Sequence, residues 1–176
     1  TEGLVEELKG RQYVVTTLHR PSNVDDPIAL GAIVSALGEV STQVPVIFPV
    51  HPRTQKRMQE LSLREWPAGF RLLEPLGYFD FLALMRKAAV VVTDSGGIQE
   101  ETTYLGVPCL SVREHTERPA TTTLGTSVLV GHDTDALKRH AHHVMAGKGK
   151  RGSVPPLWDG KAAERIADHL LSESRA

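Results

Sequence analysis

One stretch of the sequence constrains the fold more than any other, because it changes abruptly from a strand pattern to a helix pattern. The run Val90–Val92 is apolar and β-branched, which is typical of a strand buried on both faces. The run breaks at Asp94–Gly97, and a helical pattern follows from Ile98 to Leu105. This order of strand, tight turn and helix predicts one βα unit of a parallel sheet.

The turn Ser95–Gly97 predicts an anion-binding site. Glycines let phosphate oxygens approach the backbone, and the first free N–H groups of a helix point towards them. Ser95 is a suitable N-cap whose hydroxyl could also donate to a phosphate. Glu101 lies one helical turn after Gly97, where a carboxylate would repel a phosphate but could accept the hydroxyls of an attached ribose. The spacing favours a nucleotide, although an ordinary capped turn, with Glu100 and Glu101 complementing the helix dipole, fits the same pattern.

The composition fits one globular domain and argues against several functions. The chain has 176 residues, 40% of them hydrophobic, which is enough for one domain with a core. A net charge of -1 and an aromatic content of 5% argue against nucleic-acid binding. Cys109, the single cysteine, lies in an apolar run, which predicts a buried inert thiol, no disulfide framework and a cytoplasmic location. No apolar stretch approaches membrane-spanning length and the N-terminus lacks a signal pattern, so no membrane contact is expected.

Three histidines in a predicted helix raise the question of a metal site. His140 and His143 share one helix face, and His142 lies between them in the sequence. No cysteine or carboxylate completes a ligand set with them. A solvated helix end is therefore the better interpretation, and no metal is expected.

The rest of the chain alternates strand and helix patterns. Five further strands are predicted, at Gln12–Leu18, Val44–Val50, Phe70–Leu73, Pro108–Val112 and Ser127–Val130. Helices are predicted at residues 4–9 (or a linker end), from Asp26-Pro27, after Thr54 to about Leu61, at Tyr78–Ala88 and Asp133–Met145, and after Asp159-Gly160. This alternation predicts an α/β fold with a doubly wound, Rossmann-like parallel sheet and helices on both faces.

Polar segments follow almost every predicted strand. In doubly wound sheets, ligands bind beyond the carboxyl ends of the strands, near the point where the strand order reverses. This convergence strengthens the nucleotide hypothesis. Two alternatives stay open there: His51 either contacts a ligand or only hydrogen-bonds its own loop, and Arg113 either contacts a ligand or pairs with Glu114 or Glu117. The converging segments are His19–Asn23, His51–Thr54, Glu74–Gly77, Ser95–Gly97 and Arg113–Pro119.

Read together, these segments resemble the non-hydrolysing UDP-N-acetylglucosamine 2-epimerase family. The matches run along nearly the whole chain, and the two most specific together are Thr93–Glu101 and Thr116–Pro119. The other matching segments are His19-Arg20, His51–Thr54, Glu74–Tyr78, Leu105–Pro108, Arg113 and Asp159-Gly160.

The resemblance implies two Rossmann-like domains that face each other across a cleft, the GT-B architecture. Residues 1–176 resemble the C-terminal, UDP-binding domain, and Thr1–Gly3 looks like a cut into a longer chain whose N-terminal domain holds the carboxylates for the C-2 proton. Family members interconvert UDP-GlcNAc and UDP-ManNAc by eliminating UDP, which leaves a 2-acetamidoglucal, and adding it back. The implied ligands are UDP-GlcNAc and UDP, without a metal or nicotinamide cofactor. A homodimer is implied for the full-length protein, and this half alone is expected to be inactive.

The resemblance also implies roles for individual residues. His19 is the catalytic candidate, expected to donate a hydrogen bond to the departing UDP or to orient a partner acid, not to take the C-2 proton. Arg118 is expected to neutralise the diphosphate, whose charge grows during elimination. Arg20, His51 and Arg113 are further site candidates. The remaining UDP contacts are implied for Ser95, Gly96 and Gly97 at the diphosphate, Glu101 at the ribose, and Phe81 and the Leu76 backbone at the uracil.

Two departures from the family pattern bear on substrate and regulation. Pro21–Asn23 stands where the family often has Glu-Asn, and Ala120 stands where a Glu often follows Thr-Glu-Arg-Pro. Because the first of these loops helps bacterial members to hold a second, activating substrate molecule, both that regulation and the choice of a related UDP-sugar stay open.

Two rival hypotheses also stay open: a GT-B glycosyltransferase domain with the same nucleotide site, and a non-catalytic UDP-sugar-binding module. The Thr-Glu-Arg-Pro loop favours the epimerase over the transferase.

Overall fold

Six parallel strands form the centre of the fold in a computed structural model that describes residues 2–61 and 66–173. The strands are β1 (Val14–Thr17), β2 (Val46–Pro49), β3 (Phe70–Leu73), β4 (Val90–Thr93), β5 (Cys109–Ser111) and β6 (Ser127–Leu129). Their order in the sheet is β3-β2-β1-β4-β5-β6, and each neighbouring pair is parallel. The prediction of a doubly wound α/β fold is confirmed. Thr1, part of the predicted cut, lies outside the described residues.

Helices separate the strands in the described part of the chain. They are α1 (Glu2–Glu7), α2 (Pro21–Val24), α3 (Pro27–Ser41), α4 (Pro52–Glu60), α5 (Tyr78–Arg86), α6 (Gly96–Leu105), α7 (Pro119–Thr123), α8 (Thr134–Met145) and α9 (Ala162–Glu173). Two of them have well-defined ends. Asp26 accepts from the backbone amides that open α3, and Gly106 ends α6 with φ of 71°.

The polar segment His19–Asn23, which the sequence suggests is a loop, is partly helical. The one-turn helix α2 begins there at Pro21, and α7 begins in the same way at Pro119. Proline has a backbone φ already close to the helical value and lacks the N–H group that a first helical residue leaves unbonded. A proline inside a polar segment is therefore as compatible with a helix start as with a loop.

The core consists of two apolar clusters, one on each face of the sheet. Leu37 of α3 and Leu137 of α8 belong to one cluster, together with Val92 of β4. Leu84 of α5 belongs to the other, together with Val91. Neighbouring residues of β4 thus enter opposite clusters, as the alternation of side chains along a strand requires. Helices on both faces explain why this strand has no polar face.

The strand order reverses between β1 and β4, which lie side by side in the middle of the sheet. Their register pairs Val14 with Val90 and Thr17 with Thr93, so both strands end at the same level. The residues that follow these ends include His19 and Asp94. This is the crevice in which doubly wound sheets bind their ligands.

Three other expectations concern chemistry away from this crevice. Cys109 is fully buried, which confirms the prediction of a buried thiol, and burial raises its pKa to about 11. The rings of His140 and His143 lie 6.3 Å apart, and the described residues contain no group of three or more side chains suited to a metal ion. Within the same residues, no helix is both long and apolar enough to cross a membrane.

Candidate functional site

The turn that opens α6 has the geometry of an anion site. Ser95 is the N-cap: its Oγ accepts a hydrogen bond from the Ile98 amide at 3.5 Å. Its own amide donates to Thr93 Oγ1 at 3.0 Å. Helix geometry leaves the amides of Gly96 and Gly97 without an intrahelical acceptor. These amides and the positive end of the helix dipole together favour a bound anion.

A buried guanidinium lies beside this turn. The side chain of Arg113, which follows β5, is 9% exposed, and its Nη2 donates to Glu117 Oε1 at 2.6 Å. Its Nη1 is buried without a hydrogen-bond partner among the residues that the structure describes. A methyl group at Gly96 would lie 3.8 Å from that Nη1 atom. Because an unbonded buried donor is costly, Nη1 is suited to an anion at the start of α6.

Glu117 lies between two arginines. Its Oε1 is also 3.6 Å from Arg20 Nη1. The hydrogen bond from Arg113 is the main cause that lowers the pKa of Glu117 to about 2. Of the two partners that the sequence leaves open for Arg113, the structure selects Glu117, whereas Glu114 accepts from the His132 amide at 3.2 Å. Arg113 thus forms an ion pair and still offers one terminal nitrogen to another acceptor.

The second arginine of the site, Arg118, is less buried. Its side chain is 49% exposed, and its Nε lies 3.1 Å from Glu100 Oε1. Its Cγ would lie 4.0 Å from a methyl group at Gly96. Arg113 and Arg118 therefore border the same glycine, one from the interior and the other from the surface.

A buried glutamine connects the loop Thr116–Pro119 to α6. Gln99 Nε2 donates to Ser111 Oγ at 2.8 Å, and Gln99 Oε1 accepts from Thr116 Oγ1 at 2.8 Å. Thr116 Oγ1 in turn accepts from the backbone amide of Arg118 at 3.0 Å. This network fixes the backbone at Arg118 relative to the start of α6.

His19 and Asp94 form a hydrogen-bonded pair at the switch point. His19 Nδ1 lies 2.9 Å from Asp94 Oδ1, and Asp94 is fully buried whereas 44% of the His19 side chain is exposed. The hydrogen bond to Asp94 is the main cause that raises the pKa of His19. Burial alone would raise the pKa of Asp94, but the hydrogen bonds donated to its carboxylate outweigh burial and lower it. Both shifts favour the charged forms of the pair.

Asn23 of α2 supports the same carboxylate. Its Nδ2 group donates to Asp94 Oδ2 at 3.1 Å and to the Val112 carbonyl at 2.9 Å. Both amide protons are therefore used. Because Asn23 Oδ1 can only accept, His132 Nε2, which lies 2.8 Å away, is the donor. A chain of hydrogen bonds thus leads from His132 through Asn23 and Asp94 to His19.

The residues expected at the nucleoside lie towards α5. The negative charge of the nearby Glu101 carboxylate is the main cause that raises the pKa of Tyr78. Glu101 and Tyr78 line a shallow, largely apolar cleft with Trp158. Leu76 and Phe81 are partly buried against the second core cluster.

His51 hydrogen-bonds its own loop, which is one of the two alternatives that the sequence leaves open; contact with a ligand stays a prediction. Its Nδ1 accepts from the Arg53 amide at 3.3 Å, so the side chain caps α4 and orders its own loop. Its ring also lies 6.4 Å from the ring of His19, measured between centroids. Because Nδ1 is an acceptor, the proton of the neutral ring is on Nε2. His51 is therefore a loop residue that borders the site.

The sequence gives no role to Asp94, Asn23 or Gln99, although these residues hold the site together. Each is at most 1% exposed. An aspartate directly after a buried strand was a usable signal, since buried carboxylates need partners. Asn23 and Gln99 gave no comparable signal, because their contacts depend on how distant segments meet in the fold.

The fold and the site define a class of protein: a doubly wound α/β domain with a helix N-terminus suited to an anion, and arginines beside it, at its topological switch point. Within that class, the chain belongs to the UDP-N-acetylglucosamine 2-epimerase family, whose family model matches residues 1–171. The resemblance inferred from the sequence motifs is confirmed.

Individual relatives show how much of the family's length this chain represents. The UDP-N-acetylglucosamine 2-epimerase of Methanocaldococcus jannaschii is 40% identical over 159 residues, which are 88% of this chain and 43% of that protein. The UDP-2,3-diacetamido-2,3-dideoxy-D-glucuronate 2-epimerase of Pseudomonas aeruginosa is 36% identical over 159 residues, 90% of this chain and 44% of that protein. The structure of the M. jannaschii enzyme in complex with UDP-GlcNAc and UDP superposes with a TM-score of 0.83 at 36% identity, over 97% of this chain and 48% of that one. The chain therefore spans about half the length of these relatives and matches one half of a GT-B-type epimerase.

Proposed function

We propose that this chain is the UDP-binding half of an epimerase that interconverts UDP-GlcNAc and UDP-ManNAc by eliminating UDP and adding it back. The observation that carries the proposal is the buried Nη1 atom of Arg113, unbonded within the described residues, beside the first turn of α6. Arginine forms charge-assisted hydrogen bonds with phosphates, and helix N-termini bind them as well. The names of the related epimerases support a UDP-sugar as the source of the phosphates.

In this proposal, the diphosphate binds at the start of α6. The amides of Gly96 and Gly97 and the hydroxyl of Ser95 contact phosphate oxygens, while Arg113 and Arg118 neutralise their charge. Arg113 contributes more because it is nine-tenths buried, and charge interactions strengthen where water is excluded. Arg118 contributes less because half of its side chain is exposed. Each arginine pairs with a glutamate, and those glutamates compete with the ligand.

The nucleoside extends from this point towards α5. Glu101 lies one helical turn along α6 from the glycines and has two carboxylate oxygens. Both oxygens can accept the hydroxyls of a ribose, while the carboxylate stays close enough to Tyr78 to raise its pKa. Phe81 and the backbone of Leu76 are the proposed contacts of the uracil ring, since an aromatic face and a peptide group suit a base.

His19 acts on the leaving group in this proposal. Elimination removes the C-2 proton and breaks the bond between C-1 and the UDP oxygen, so negative charge develops on the diphosphate. Protonated His19, whose pKa Asp94 raises, donates a hydrogen bond to that charge. The C-2 proton passes to carboxylates outside this chain. Re-addition of UDP to the 2-acetamidoglucal, with a proton delivered to the opposite face of C-2, completes the inversion.

GlcNAc is the proposed sugar because the matching family model and the M. jannaschii relative carry that name. The P. aeruginosa relative is named for a uronate with two acetamido groups, and this chain departs from the family at Pro21–Asn23 and Ala120. A related UDP-sugar is therefore the second candidate substrate. Turnover of both UDP-sugars by the full-length protein, followed by NMR of the products, decides between them.

Calorimetric titration of the 176-residue chain tests the nucleotide role. We expect UDP to bind more tightly than pyrophosphate, because only UDP reaches Glu101 and Phe81. ADP, which carries the same diphosphate on a larger base, should bind more weakly than UDP. Failure to bind UDP, or equal affinity for UDP and pyrophosphate, would contradict the proposal.

Isotope exchange in the full-length protein separates the epimerase from its rivals. An epimerase incorporates deuterium from heavy water at C-2 of UDP-GlcNAc. A GT-B glycosyltransferase would transfer the sugar to an acceptor and leave C-2 unlabelled. A non-catalytic module would bind UDP and do neither.

A further inference from the structure

We propose that Asp94 is a positioning residue for His19, whose Nδ1 proton it holds so that Nε2 faces the crevice. Asn23 and His132 complete the arrangement by fixing the Asp94 carboxylate. The catalytic meaning of this arrangement rests on the proposed function, since only there does His19 act on the departing UDP. The arrangement itself depends only on the distances between these four side chains.

The two oxygens of Asp94 accept from overlapping sets of donors. Oδ1 lies 2.9 Å from His19 Nδ1 and also accepts from the His19 amide at 3.2 Å. Oδ2 accepts from the backbone amides of His19 and Arg20, at 3.1 and 2.9 Å, and from Asn23 Nδ2 at 3.1 Å. Every neighbouring group is a donor. If Asp94 were protonated on Oδ2, that proton would point at three N–H groups and find no acceptor. The ionised carboxylate is therefore the form that satisfies all of its partners.

This arrangement decides which nitrogen of His19 reaches the crevice. With Nδ1–H bonded to a buried carboxylate, Nε2 is the ring nitrogen left to meet a ligand, and 44% of the His19 side chain is exposed. In the neutral ring Nε2 can only accept, whereas in the imidazolium form it donates. A hydrogen bond to the leaving diphosphate thus requires the cation, which the adjacent carboxylate stabilises.

Three elements supply the charged and titratable groups around His19. Asp94 follows β4 and favours the cation, whereas Arg20, the next residue after His19, disfavours it. His51, at the start of α4, has its ring centroid 6.4 Å away. The hydrogen bond that His19 donates to Asp94 is the largest of these influences, and the pKa of His19 is raised.

Asn23 and His132 prevent the carboxylate from rotating. Asn23 is 1% exposed. Its Nδ2 group donates both to Asp94 Oδ2 and to the carbonyl of Val112, the residue after β5. His132, which follows β6, donates to Asn23 Oδ1 at 2.8 Å. Segments after β1, β4, β5 and β6 are thus connected through one buried carboxylate. Such connected networks hold a side chain more firmly than a single hydrogen bond.

The substitution Asp94→Asn makes a specific prediction about the imidazole. The three donors around the Oδ2 position select the amide oxygen, which leaves the NH₂ group facing His19 Nδ1. Nδ1 must then accept, so the proton of the neutral ring moves to Nε2. In Ser-His-Asp catalytic triads, replacing the aspartate by asparagine lowers the rate through the same change of histidine tautomer.

Nitrogen-15 NMR of the His19 ring in the 176-residue chain tests this directly. The wild-type ring should be protonated at Nδ1 when neutral, and Asp94→Asn should move that proton to Nε2 and lower the proton affinity of the ring about tenfold. Asp26→Asn is the matched control, because Asn and Asp cap helices equally well. A neutral wild-type ring protonated at Nε2, or an unchanged ring in Asp94→Asn, would overturn the proposal. If Asp94→Asn fails to fold, the wild-type tautomer alone decides.

Kinetics of the full-length protein provide the second readout. Asp94→Asn should lower kcat about tenfold to hundredfold, the range for one hydrogen bond to a charged group, with little change in KM. Wild-type turnover should fall as pH rises through the pKa of His19, and this fall should disappear in Asp94→Asn, whose neutral Nε2–H still donates. Equal losses in kcat and in UDP affinity would overturn the positioning role. A chain that keeps the Nδ1–H tautomer but does not bind UDP would instead contradict only the proposed function.

Discussion

The two sides of the proposed UDP site differ in how completely the protein forms them. On the phosphate side, Asp94 is fully buried and Arg113 is only 9% exposed. On the nucleoside side, Tyr78 is 59% exposed and the neighbouring Phe79 is 82% exposed. Hydrogen bonds from several separate segments hold the first side, whereas the contact between Tyr78 and Glu101 joins α5 to α6 on the second.

This difference has a physical cause. A buried charge must be fully hydrogen-bonded, which leaves it few alternative conformations. An exposed aromatic ring can change rotamer without losing such bonds. We therefore expect the phosphate side to be ordered before a ligand arrives and the nucleoside side to become ordered around it, at some loss of binding energy.

The largest expected effect is on stability. Asp94→Ala leaves several buried donors without their acceptor, and we expect it to lower the free energy of unfolding by about 3–5 kcal/mol. Tyr78→Ala, on the exposed side, should change it by less than about 1 kcal/mol. Urea denaturation followed by circular dichroism measures both. Similar losses of unfolding free energy in the two variants would show that hydrogen bonds do not hold the phosphate side more firmly than the nucleoside side.

The next effect compares the two arginines. Arg113→Gln should weaken UDP binding about tenfold to hundredfold, because it removes charged hydrogen bonds in a buried setting. Arg118→Gln should weaken it about two- to fivefold, since an exposed charge is screened by water. Arg165→Gln, an exposed arginine of α9 that pairs with Asp159, serves as the control and should have no effect. A larger loss for Arg118→Gln in calorimetry would reverse the assignment.

The third effect separates ribose from phosphate. Glu101→Gln should weaken UDP binding about three- to tenfold and leave pyrophosphate binding unchanged, because the amide replaces one acceptor of a ribose hydroxyl. Glu100→Gln is the matched control on the neighbouring position, and it should strengthen the binding of both ligands slightly by releasing Arg118. Equal losses for UDP and pyrophosphate in Glu101→Gln would remove the ribose role.

A smaller effect should come from the carboxylate that competes with the ligand. Glu117→Gln should raise UDP affinity about two- to fivefold, since it releases the arginines Arg113 and Arg20. The pKa of Glu117 is lowered to about 2, so its carboxylate remains charged until the pH falls close to that value. The gain should therefore be the same at about pH 6 and about pH 8. An affinity that falls in this variant would mean that Glu117 assists binding.

The smallest effect concerns the pH dependence of stability. The pKa of His19 is raised in the folded chain, so its protonation stabilises the fold below the unfolded value of about 6.5 and ceases to do so as pH rises through the folded pKa. The effect is modest because 44% of the side chain is exposed. The stability difference between wild type and His19→Gln should shrink from about pH 5.5 to about pH 8.5. A difference that grows over this range would contradict the sign of the shift.

The local part of the site was predictable from the sequence. The strand β4, the cap at Ser95, the helix α6 and its end at Gly106 all follow from patterns within a few residues of one another. The doubly wound sheet follows from the regular alternation of such units, which leaves few other arrangements. These features depend on neighbours in the sequence, which is why one sequence suffices to predict them.

The buried network was not predictable in the same way. The contact between His19 and Asp94 spans 75 positions and exists because β1 pairs with β4. The choice of Glu117 over Glu114 as the partner of Arg113 depends on the path of a loop. The start of α2 at Pro21 was missed because proline favours a turn and a first helical residue alike.

The two glycines at the start of α6 show what the proposed function demands of this chain. In the interior of a helix, alanine is more stabilising than glycine by about 0.5–1 kcal/mol. Nothing nearby forbids it at Gly96, where a methyl group would sit at ordinary contact distances of 3.8 and 4.0 Å from Arg113 and Arg118. Packing therefore does not account for the absence of a side chain there. A bare peptide surface at this point would let a phosphate oxygen touch the main chain, which is what the proposed function requires of the first turn of α6.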